Sequence, residues 1–118
     1  MNHALGYQAM VDALRAAGFA VATGSADLTP PTVYLLPYQT LPEDGTLAGA
    51  FPLVVAVHYV PIRGPQDSYV ELDAVEAIED ALLGLDCLVT LVGMARQSVT
   101  VNEATTWPCL RWEATVQT

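Results

Sequence analysis

A chain of 118 residues, 53% hydrophobic and only 14% charged, is long enough for one domain with one buried core and too short for two ordinary ones. Thirteen Asp and Glu stand against four Arg (Arg15, Arg63, Arg96 and Arg111) and no Lys, and the formal net charge of -9 argues against gripping nucleic acid through a basic patch. No run approaches the roughly 18 apolar residues of a membrane-spanning helix, since 51–62 is broken by Pro52, His58 and Pro61, and residues 1–18 lack the basic head and apolar centre of an export signal. The expectation is a protein with no membrane partner, and a low charged fraction suggests that partners cover some of its apolar surface.

Leu5, Ala9, Met10, Ala13, Leu14 and Ala17 recur with helical period, and Gly18 follows where a left-handed C-terminal cap forms, which predicts a first helix over 3–17. Residues 19–22 read as a short strand, 24–31 as a turn-rich connection, and 32–36 as a β-branched and aromatic strand stopped by Pro37; these two strands suggest an opening hairpin. From 37 to 49 the turn formers Pro42, Glu43, Asp44, Gly45 and Gly49 predict a long loop, either a contact loop bearing Glu43 and Asp44 or a mobile excursion. In the strand 51–60, Phe51, Leu53, Val55, Val57 and Tyr59 share one face. A polar link ending in the possible caps Asp67 and Ser68 leads to a second helix over 68–83, whose Val75, Ile78, Leu82 and Leu85 line one side. Beyond it come an apolar β-rich run (87–92), a break (93–97) and two closing strands, 99–104 and 110–116, separated by Pro108. The fold expected is α+β, a single domain over 1–118 with a mainly antiparallel sheet flanked by two helices in the order α-β-β-β-α-β-β.

Residues for chemistry are few. His3 and His58 are the only imidazoles, and His58, placed mid-strand off the apolar face, reads as a partly exposed or hydrogen-bonded structural histidine. No Gly-rich phosphate loop, His-Glu-x-x-His helix or Gly-x-Ser-x-Gly elbow occurs, so neither an enzyme nor a cofactor is expected. Cys87 and Cys109 form no pair motif and read as reduced packing residues. Asp73, Glu76 and Asp80 fall on one face of the second helix, with Glu79 and Asp86 nearby. That face is either solvated or meets an Arg of a neighbouring subunit; a divalent cation is disfavoured, because one helix face rarely converges oxygen ligands from several directions. The last segment holds Trp107, Arg111 and Trp112, residue types that anchor interfaces. Trp112 reads mainly as core, whereas Trp107, between Thr106 and Pro108 in an expected loop, is the first interface candidate.

The helix ending at Ala16, Ala17, Gly18 and Phe19, the strand ending at Pro61, the helix from Tyr69 to Leu83 and the closing strands together resemble the tail-terminator, or tail-completion, proteins of long-tailed bacteriophages. The likeness lies in element order, length and composition over nearly the whole chain. It implies a virion structural protein at the head-proximal end of the tail, assembled in the host cytoplasm as a ring, expected to be a homohexamer. Such a ring caps the tail tube, meets the head-tail connector and lets DNA pass its lumen without specific binding. It implies no catalysis and no metal, and puts the 37–49 loop and the Trp107 region at contacts. A head-completion or neck protein of similar size, and a small non-enzymatic adaptor binding through its acidic helix, stay open beside it.

Overall fold

The computed structural model describes residues 3–24, 28–29, 31–39, 53–61, 68–86, 88–101 and 105–116. The elements are α1 (His3–Ala16), β1 (Val21–Ala22), β2 (Thr32–Gln39), β3 (Leu53–Val60), α2 (Ser68–Leu83), β4 (Leu88–Val101) and β5 (Thr105–Val116), the expected α+β order. They build one five-stranded sheet in the order β1-β2-β3-β5-β4. The β2–β3, β3–β5 and β4–β5 pairs are antiparallel and β1–β2 is parallel. Because β3 and β4 each run antiparallel to β5, they run parallel to one another, and α2 carries the chain across as a split β-α-β unit.

Both helices lie on one face of the sheet. Met10, Val11 and Leu14 of α1 and Val75, Ile78 and Leu82 of α2 are buried against Leu53, Val55, Val57, Tyr59, Leu110, Trp112, Ala114 and Val116. Helical spacing brings each apolar set to one side, and each large side chain taken from water contributes about 1.5–3 kcal/mol. Hydrogen bonds also tie the layers: the Tyr7 hydroxyl donates to the Leu35 carbonyl at 2.9 Å, and the Trp112 indole Nε1 donates to Glu79 Oε2 at 3.0 Å. Gly18 ends α1 as expected, with φ +97°. The amide of Gly18 bonds to the Arg15 carbonyl and that of Phe19 to the Leu14 carbonyl, the paired bonds of a Schellman cap.

Four expectations change. The opening hairpin is instead a parallel pair, Val21 opposite Val33 and Ala22 opposite Tyr34. A connection spanning 23–31 exceeds a tight hairpin turn, and Leu28 within it is buried against Ala22 and Val60, so the chain crosses over before entering β2. Pro37 does not stop β2. Val33 donates its N–H to Ala20, away from β3, and the period of two turns position 37 the same way, so proline there removes no bond from the β2–β3 ladder. The expected break at 93–97 lies inside β4, where the register shifts between Val92 and Ala95 around Gly93 at φ +53°: a β-bulge. Pro108 likewise sits inside β5, paired with Ser98 and beyond Leu110, the last β5 residue matched to β3. No described strand flanks that side of Pro108, the setting in which proline is tolerated.

Candidate contact surfaces

The sheet face away from the helices is also buried along β3, all of whose residues are buried. On that side His58 is only 7% exposed. Its Nδ1 lies 3.3 Å from the Tyr34 carbonyl oxygen, which can only accept, so Nδ1 carries the proton. The ring stacks on Tyr34 with centroids 5.6 Å apart and planes at 26°. Burial pushes the imidazole below its ordinary 6.5; the Tyr34 carbonyl works against that shift and the Arg111 charge adds to it. Of the two alternatives for His58, the hydrogen bond is present and the partial exposure is not.

Arg111 faces His58 across the β3–β5 ladder and lies 3.8 Å from Glu113 Oε2. With side chains 25% and 43% exposed, that pair contributes little. Trp107 is in β5 opposite Val99, not in a loop, and is half-buried against a second cluster of Ala22, Leu28, Tyr34, Val60 and Cys109. Cys109 is a free, buried thiol pushed up by burial, with Arg111 partly opposing, and so is a poor nucleophile. Trp112, fully buried among the core residues under the helices, is the packing residue expected.

Asp73, Glu76 and Asp80 lie together on the exposed side of α2, between the exposed Leu72 and Leu83. Glu79, one step around the helix, is drawn inward to Trp112. Glu43 and Asp44, Phe51, Asp67 and Cys87 lie outside the described residues. Among the described residues no group of three His, Cys, Asp or Glu is gathered to hold a metal, and no helix is long and apolar enough to cross a membrane.

The two sheet edges differ sharply. On one side, β1 covers only Val33 and Tyr34 of β2, and Pro37 has no N–H to offer beyond it. On the other, β4 runs from Leu88 to Val101 and, among the described residues, pairs with β5 alone. From Ala95 to Val101 it is in unbroken register. It contains no Asp, Glu or Pro, although the chain has thirteen acidic residues. The β4–β5 hairpin also outruns the sheet: β5 matches β3 over 110–116, while among the described residues 105–109 pairs with β4 alone. Reading a break at Gly93 hid this continuous edge; an isolated Gly within a β pattern is the signal of a bulge that would have revealed it.

The chain matches no protein-family model and no curated protein, so its fold and surfaces stand on their own geometry.

Proposed function

We propose that this protein is a ring-forming virion component, the tail terminator of a long-tailed bacteriophage, and that it works by steric fit without chemistry. The observation that carries this reading is the β4–β5 ribbon extending past β3. A two-stranded ribbon is marginal by itself in water, and a subunit that offers one gains by having a neighbour complete its surroundings. Leu36, Leu72, Leu83 and Val92, each 45% exposed or more, add apolar area for partners to cover. Identical subunits in head-to-tail contact close into a ring, expected to be six-membered. One ring face matches the last ring of tube protein and the other meets the head-tail connector while refusing further tube subunits. The -9 charge suits a lumen through which DNA slides without adhering.

Negative-stain electron microscopy and native mass determination, with and without purified tail tubes, test the proposal. Closed rings, or caps at one end of the tubes, are expected. A chain that leaves tube ends bare and never forms a ring at any concentration sinks it.

A further inference from the structure

We infer that the outer edge of β4, which no other described strand pairs with, is a pairing surface for a second copy of this chain, the two β4 strands meeting antiparallel about a two-fold axis within residues 95–101. It does not rest on the ring reading, and it assigns the ribbon's edge to a closed two-fold pair in place of a head-to-tail contact, so the two readings can fail separately.

Among the described residues, the outer backbone groups of β4 face no strand. Half of the N–H and C=O groups of an edge strand point away from its only neighbour, and such a row templates pairing with another strand. In β4 the segment from Ala95 to Val101 is in unbroken register, beyond the bulge at Val92–Ala95, and so presents a regular row. The occupant follows from comparing edges. Head-to-tail growth would set β4 of one copy against the β1–β2 edge of the next. That edge offers a two-residue strand, then β2 with Pro37 facing outward. The run of outward bonds needed for continuous pairing is broken at that proline. The β4 edge has no such interruption, so its best partner on this molecule is itself.

Charge favours the same partner. Two chains of net charge -9 repel wherever their acidic surfaces meet, and β4 is a 14-residue stretch free of carboxylates. A register centred on Ser98 places Arg96 of one copy opposite Thr100 of the other and keeps the two Arg96 backbones about 13 Å apart. Two-fold pairing is also closed: each copy satisfies the other's edge and neither is left to recruit a third, whereas pairing through unlike edges would propagate.

Cysteine scanning tests this. Cys87 and Cys109 are replaced by Ser and Ala, Cys is introduced at each position from 95 to 101 in turn, and each purified chain is oxidised at micromolar concentration. In antiparallel pairing about a two-fold, only positions at the axis meet their own mates, at Cα separations near 4.5–5.5 Å that suit a disulfide. The expected result is a covalent dimer, twice the 12.6 kDa chain mass, peaking at one position and falling off on both sides. Sedimentation of the unmodified chain is expected to show the same dimer, which guards against a scanned variant that fails to fold. A monomer without crosslinks overturns the inference, and so does a dimer whose crosslinks are uniformly absent from β4. Crosslinks centred in β4 together with uncapped tubes uphold it while sinking the ring proposal; caps without β4 crosslinks do the reverse.

Discussion

The two faces of the sheet are buried by different means. On the helix side, two amphipathic helices lay six buried residues onto a continuous apolar surface, with Trp112 at its centre and hydrogen-bonded to α2 through Glu79. On the other side, cover comes piecemeal: Leu28 from a connection, Val99 and Trp107 from the hairpin, and a polar row of Tyr34, His58 and Arg111 set among them. The first arrangement is that of a core that determines whether the chain folds at all. The second is a smaller apolar cluster set among polar side chains, and it is expected to contribute less to stability.

Substitutions should separate the faces by size of effect. Trp112→Ala is expected to be the most damaging, removing about 3–5 kcal/mol through the cavity it leaves, measured as the loss in urea unfolding free energy. Trp107→Ala, at a half-buried position, should remove about 1–2 kcal/mol in the same assay. Equal losses would erase the distinction between the faces. Trp112→Phe keeps most of the ring volume but takes the donor from Glu79, and a loss of about 1–3 kcal/mol is expected, partly recovered when Glu79→Gln is added. No recovery would mean that packing alone accounts for Trp112.

The smallest effect expected is the pH dependence from His58. Its folded-state pKa lies below the ordinary 6.5, so the unfolded chain binds the extra proton. Its contribution is fully present above 6.5 and is lost as pH falls through 6.5 towards the lowered folded value. Comparing wild type with His58→Gln at pH 7.5 and 5.5 isolates it: the wild type should lose more stability on acidification. Equal losses would show that the buried imidazole is not the sensor.

Much of the helix side was legible in the sequence because its rules are local. Period 3.6 placed Met10, Leu14, Val75, Ile78 and Leu82 inward, and Gly18 marked the cap. The opposite side was not, for two reasons. Reading β3 by alternation assigned Leu53, Val55, Val57 and Tyr59 to a core, but its apolar run, interrupted only by His58, is the pattern of a strand covered on both sides. Pro37, Gly93 and Pro108 look like punctuation in the sequence, yet each sits within a strand, at an edge or a bulge, where the missing bond or unusual φ is accommodated. These are tertiary facts: whether a proline ends a strand depends on which neighbour its nitrogen would have faced. Among the candidate contact residues, Asp73, Glu76 and Asp80 share an exposed helix face as their spacing predicted, while Trp107 and Arg111 depend on a hairpin whose length came from joining segments read as separate.

The placement of the two indoles has a practical consequence. Trp112 is sealed beneath the helices and bound to a carboxylate, and Trp107 is only partly covered on the other side of the sheet. With no third indole in the chain, its native fluorescence divides into a shielded emitter for one layer and a wetted emitter for the other. Replacing either with Phe would leave a single lamp, so light alone could report which side of the sheet opens first and which side a partner darkens on arrival.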